Sequence, residues 1–171
     1  MGESEITDRS ADDAAVVDGV VAPLALIVVV GIRRCAIPVR FAAEILRPLP
    51  VQPLGGVPGY VRGLSVIRGS PVPVVDLNLL IGDDGNEHAA ERLAVIDVGE
   101  RRVALAVDAV LGLQRLDAHL VGRLPPLLHG VGSDVVEAIG VADARLLMVL
   151  RAACLVPDEV WSALTAGREA P

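Results

Sequence analysis

The side chains in this 171-residue chain that could do chemistry are few and scattered. His88, His119 and His129 have no second ligand at helical or hairpin spacing, whereas a zinc site needs close Cys and His pairs. Cys35 and Cys154 sit in apolar surroundings without a CxxC motif, which reads as two buried structural thiols of a reducing compartment rather than a disulfide. Ser65 and Ser70 lack an elbow motif and a nearby base, so neither is an activated nucleophile. The loop DDGNE at 83–87 lacks the alternating oxygen ligands and terminal Glu of a calcium hand. GGVPG at 55–59 lacks the Lys-Ser/Thr pair and following helix of a phosphate cradle. All fifteen basic residues are arginine, which rules out Schiff-base and phosphate-loop lysines and fits a biased codon composition. The expectation is a chain with no active site, no cofactor and no metal. Paired carboxylates brought together only by the fold stay open.

One stretch stands apart. Gly63 to Leu77, GLSVIRGSPVPVVDL, places a single cation, Arg68, among apolar residues ahead of an alternating run that carries Pro71 and Pro73. Proline cannot donate to a β ladder, so this reads as an edge strand or one that starts at a bulge, with Gly69 at a sharp turn. An edge with an arginine fixed beside it is a basis for binding another protein. Glu44, in AAEIL, would be costly to bury alone, and Arg68 is its candidate partner because a guanidinium fork binds a carboxylate in two places. If the pair is buried, losing one partner costs about 3–5 kcal/mol, whereas the intact pair adds little net stability. A purely structural role and direct contact with a partner are both compatible with it.

The elements that position these residues are β-rich. The chain is 53% hydrophobic, but Phe41, Tyr60 and Trp161 are its only aromatics, so the core rests on Val, Leu, Ala and Ile. Few aromatics and a net charge of −7 argue against nucleic acid, which needs stacking platforms and a basic stripe. The opening MGESEITDRSADD is acidic where a signal peptide would be basic, so export is not expected. The apolar run Val20 to Ile32 is broken by Pro23 and falls short of the roughly 20 residues a bilayer requires. The expectation is a soluble cytoplasmic protein without direct membrane insertion.

Residues 1–22 read as an acidic tail with one helical turn, and residues 23–156 as the domain. LALIVVVGIRRCAIPV has the pattern of a hairpin turning at Gly31. An offset of 68 residues lays this hairpin on LAVIDVGERRVALAV, with Gly31 on Gly99, Arg33 and Arg34 on Arg101 and Arg102, and Val39 on Val107. A weaker echo sets Ala138–Leu150 against the central stretch. Self-similarity of this kind predicts two related β lobes, about 23–85 and 90–150, each with about five short strands and with strand exchange open between them. Pro157, Asp158 and Glu159 then start a helix in the segment 157–171, docking through Val160, Trp161 and Leu164.

With these residues in hand, the chain resembles the CheW family of chemotaxis coupling proteins. The resemblance rests on Ile37, Pro38 and Val39; Glu44 and Ile45; Pro58 and Gly63; Arg68 and Gly69; and Val72, Pro73, Val74, Asp76 and Leu77. It continues through Gly99, Val107, Asp108, Val110, Pro125, Pro126, Gly140 and the strand Leu146–Leu150, so that it covers about Leu24 to Val156. It implies two SH3-like five-stranded β barrels, no catalysis, and a scaffold that couples chemoreceptor cytoplasmic tips to the regulatory domain of a CheA-type histidine kinase. It also implies a place at receptor arrays on the inner face of the membrane. Carried over, the receptor groove is formed by Val39, Ala42, Glu44, Ile67 and Arg68, with the kinase at the barrel ends. Departures fall at Val66, where the family has Asn, at Ala42, where a larger apolar residue is usual, and at Arg151, which replaces an Asp. Two other readings stay open: a divergent member that binds a single partner, and a β-barrel carrier of a small ligand.

Overall fold

The structure, a computed structural model, describes residues 14–17, 20–82, 89–117, 121–123 and 134–166. Four tight turns shape it. Strand β2 (Val20–Val30) returns as β3 (Arg33–Pro38), and β7 (Arg92–Val98) returns as β8 (Arg101–Val107). Val30 pairs with Arg33 and Val98 with Arg101, leaving two-residue loops that begin at Gly31 (φ 57°) and Gly99 (φ 62°). Glycine in the first loop position, followed by a residue of negative φ, is the type II′ turn that matches strand twist. In β5 (Val61–Ile67) to β6 (Ser70–Asp76), and in β11 (Val136–Ala142) to β12 (Arg145–Leu150), both loop residues have positive φ, as in a type I′ turn. These residues are Arg68 and Gly69 in one hairpin, and Asp143 and Ala144 in the other.

The remaining elements are β1 (Ala14–Val17), β4 (Ala42–Leu46), helix α1 (Leu77–Leu80), β9 (Ala109–Arg115), β10 (Gly122–Arg123) and helix α2 (Asp158–Ala166). One sheet runs β4-β7-β8-β6-β5. The other runs β9-β2-β3-β12-β11, with β1 added alongside the start of β2 and β10 alongside β11. Each five-strand set has one parallel pair, β6 with β8 and β12 with β3.

The two sets are the same motif twice. The pair Ile45 and Ala94 recurs 68 residues later on one strand and 68 earlier on the other, as Leu113 and Leu26. The bulge between Ala42 and Glu44 recurs between Val110 and Gly112. In the parallel pairs Val74 meets Ala104 and Val149 meets Ala36, which makes Asp143 and Ala144 the counterparts of Arg68 and Gly69. The sheets are not consecutive halves of the chain. After β3 the chain crosses to the second sheet as β4, and after β8 it crosses back as β9, so a division near residues 85–90 cuts through the second sheet. In place of a helical turn in the tail, Ala14–Val17 form a strand paired with Val20–Pro23.

Strand exchange explains the continuous apolar runs. Along β2, Ala25 and Ile27 point into the first sheet's own interior, while Leu26, Val28 and Val30 join a core shared by both sheets. Along β7, Leu93 and Val95 fill the second interior, and Ala94 and Ile96 the shared core. A strand buried on both faces needs no polar alternation. Val160 is buried in the shared core, with Trp161 and Leu164 packed against it, and Asp158 and Glu159 occupy the first turn of α2. Arg101 clasps this helix, its Nη1 donating to Asp158 at 2.6 Å while its guanidinium lies 5.3 Å from the centre of the Trp161 ring. No helix among the described residues is long and apolar enough to cross a membrane.

Candidate functional site

Strands β4 and β5 are the two outer strands of the second sheet, and Arg68 stands in the turn that ends β5. From there it reaches Glu44 on β4: Nε lies 3.1 Å from both carboxylate oxygens, and Nη2 donates to Oε2 at 2.8 Å. The ion pair therefore bridges the two strands between which the sheet's hydrogen-bonded path is open. The Glu44 side chain is 17% exposed and that of Arg68 73%, so the pair stands at the surface despite its apolar neighbours in sequence, and the cost of breaking a buried pair does not apply to it. Those neighbours alternate along β4, and it is the facing strand that decides which side meets solvent.

The pair is the outer end of a charge relay. Arg102 on β8 donates to Asp97 on β7, Nε to Oδ1 at 2.7 Å and Nη2 to Oδ2 at 2.9 Å, and its Nη1 lies 4.0 Å from Glu44 Oε1. Asp97 and Arg102 are direct cross-strand partners. Hydrogen bonding from Arg68 holds the Glu44 carboxyl below the usual glutamate range, and Arg102 does the same for Asp97.

Arg68 has φ 50°, a left-handed conformation rare for residues other than Gly, Asn or Asp. The equivalent positions of the first sheet carry Asp143 in the turn and Gly112 on the outer strand, which leaves no such bridge there. The first sheet keeps the same strand order and the same bulge without it. The Arg68–Glu44 bridge is therefore not a requirement of the motif.

The other expected groove residues are dispersed. Val39 is half-buried in the 3-10 turn Val39–Phe41, and Ala42, at the start of β4, packs against the shared core. Ile67 is 2% exposed and fills the second interior, so it cannot face a partner. It lies on the opposite face of β5 from Val66, which is 70% exposed. Val66 is the surface residue that motif spacing placed one position away.

Pro71 and Pro73 do not mark a free edge strand. β6 pairs with β5 from Ser70 to Val75 and with β8 from Val74 to Asp76, and both prolines precede that parallel ladder, where no N–H is needed. The exposed side of β5 is covered by the loop that precedes it. Gln52 exchanges backbone hydrogen bonds with Leu64 at 2.7 and 2.9 Å, and buried Ser65 Oγ donates to the Pro50 carbonyl at 2.9 Å.

Cys35 is buried, its thiol pushed up to about 12 by loss of solvent, and Cys154 is half-buried; both are free thiols. The three histidines and the 83–87 loop lie outside the described residues.

The fold is that of a two-lobed β protein whose lobes exchange strands, with an ion-pair network on its surface. Residues 24–160 match the CheW-like domain family, and this chain belongs to that family. It is 31% identical over 125 residues to Protein FrzA of Myxococcus xanthus, covering 70% of this chain and 77% of that one. It is 22% identical over 131 residues to Chemotaxis protein CheW of Rhizobium meliloti, covering 76% and 84%. With Chemotaxis protein CheW of Klebsiella aerogenes it shares 22% identity over 110 residues, 64% of this chain and 66% of that protein, just under two thirds of the latter's length. Among solved structures, the scaffolding protein TtCheW from Thermoanaerobacter tengcongensis superimposes with a TM-score of 0.68 at 18% identity, covering 76% of this chain and 89% of that one. The two-lobe β fold with a short C-terminal helix is thus the family's fold.

Proposed function

We propose that this protein is a non-catalytic adaptor that couples a chemoreceptor cytoplasmic tip to the regulatory domain of a CheA-type histidine kinase, at receptor arrays on the cytoplasmic face of the membrane. The observation that carries the reading is the Arg68–Glu44 bridge, a solvent-facing guanidinium clasped to the carboxylate of the other outer strand, which the otherwise equivalent first sheet omits. A charged pair kept at the surface where the motif does not require it supports a binding role. Around it, Val39, Ala42 and Glu44 supply the receptor groove, and Val66 takes the surface place that Ile67 cannot. A standard interface would bury about 800 Å² on each partner.

The test is paired capture. Wild-type protein recovers both a receptor tip fragment and a kinase regulatory domain. Arg68→Glu, with far-UV circular dichroism unchanged, loses at least tenfold in receptor affinity and keeps the kinase. Wild-type binding of both partners by a folded Arg68→Glu protein would remove the site assignment.

A second reading, a divergent member that serves one partner, is favoured by Val66 and Ala42, which make this groove more apolar and smaller than the family pattern. Recovery of only one partner by the wild-type protein selects it.

A further inference from the structure

Between the two sheets lies a small polar cavity of about 10 Å³, lined by Val30 of β2, Arg62 of β5, Asp76 at the end of β6, Asn78 of α1, Ala90, Ala106 of β8, and Asp108 at the crossover into β9. Most of its polar groups are already engaged. Arg62 Nε donates to Asp76 Oδ2 at 2.9 Å, and Asp76 Oδ1 caps α1 by accepting from the Leu79 amide at 3.2 Å. Asp108 Oδ2 accepts from the Gly31 amide at 2.6 Å. Asn78 is the exception. It is 6% exposed, and its buried Oδ1 has no hydrogen-bond donor among the described residues. A buried amide oxygen without a donor costs about 1–3 kcal/mol, which is why native proteins rarely leave one unmet.

We infer that this cavity is an interior hydration site, holding one ordered water that donates one hydrogen bond to Asn78 Oδ1 and the other to the Asp108 carboxylate. The volume is that of a single water, and the lining offers the polar partners such a water needs. A cation is disfavoured because the Arg62 guanidinium borders the same space and already neutralises Asp76. The water ties the cap of α1, in the second sheet, to the crossover and the Gly31 turn, in the first. It lies away from the Arg68 surface and does not depend on the adaptor reading.

A room-temperature crystal structure of the full chain at about 1.5 Å resolution is expected to show a solvent peak about 3 Å from both Asn78 Oδ1 and the Asp108 carboxylate. Contacts of about 2.4 Å would identify a cation and overturn the inference. So would a protein donor on Asn78 Oδ1, or an Asn78 amide turned so that its nitrogen meets Asp108 directly. In solution, magnetic relaxation dispersion counts long-lived interior waters. Asn78→Leu, with its circular dichroism unchanged, is expected to lose one such water, and an equal count overturns the site. If that variant does not fold, the wild-type density decides alone.

Discussion

At the scale of single residues, the sequence pointed to Arg68 and Glu44 because a lone cation and a lone carboxylate stood in apolar runs, and in space they are bonded to each other. What the runs could not convey was exposure. Alternation along β4 and β5 fixes which residues share a face, but not which face another strand covers, so Ile67, expected at the groove, is buried while its neighbour Val66 is exposed. The bond has a titration signature. The Glu44 value is lowered first by the Arg68 hydrogen bond, so this carboxylate favours the folded state above the ordinary glutamate range, and the contribution fades as pH falls through the lowered value. Carboxyl carbon NMR should find the Glu44 midpoint below that of a free glutamate in the wild-type protein and shifted upward in Arg68→Ala. An unchanged midpoint would mean the pair does not persist in solution. The thiols give a second residue-scale expectation. Cys35 is buried with its thiol held up to about 12, and Cys154 is half-buried, so a thiol reagent at neutral pH should label Cys154 rapidly and Cys35 only on unfolding. Equal rates at the two positions would contradict the described burial of Cys35.

At the scale of elements, the hairpins at Gly31 and Gly99 were legible because their turns are written in residue types: glycine at the first position of a two-residue loop, flanked by Val-rich strands. The same holds for the docking face of α2, where acids open the helix and apolar residues recur at its spacing. Pro71 and Pro73 were less informative. They exclude ladder donation locally, but they do not reveal that β6 gains a second neighbour just beyond them. Gly63 was visible only as a motif position. Its structural reason is contact: with φ 140°, a Cβ there would stand 2.0 Å from the Gln52 carbonyl oxygen, the atom that accepts from Leu64. Gly63→Ala must therefore push the covering loop off β5 and adopt a strained backbone, at a cost of about 3 kcal/mol or more. The denaturant midpoint of this variant is expected to fall well below wild type. A midpoint within error of wild type would show that the loop does not seal that edge.

At the scale of the whole molecule, the 68-residue offset seen in the sequence proved to be a repeat of strands, turns and bulge, but the sequence could not show that the repeats trade strands. Local pattern states that β4 and β9 are strands; which sheet receives them depends on contacts 49 and 87 residues away along the chain, such as Ile45 with Ala94 and Leu26 with Leu113. The exchange has a thermodynamic consequence. Each sheet contains a strand delivered by the other's hairpin, and both donate side chains to one shared core, so neither can unfold and leave the other's set complete. Lobes that were merely tethered would open independently, as consecutive domains do. Trp161, the only tryptophan, reports on α2 against the shared core, whereas far-UV circular dichroism reports on both sheets. Denaturant titrations followed by the two signals should superimpose on a single transition, with the same midpoint and slope. A tryptophan transition that precedes the dichroism change would mean that α2 and the shared core open before the sheets do. In that case the interleaved strands would hold the lobes together topologically without making them one cooperative unit.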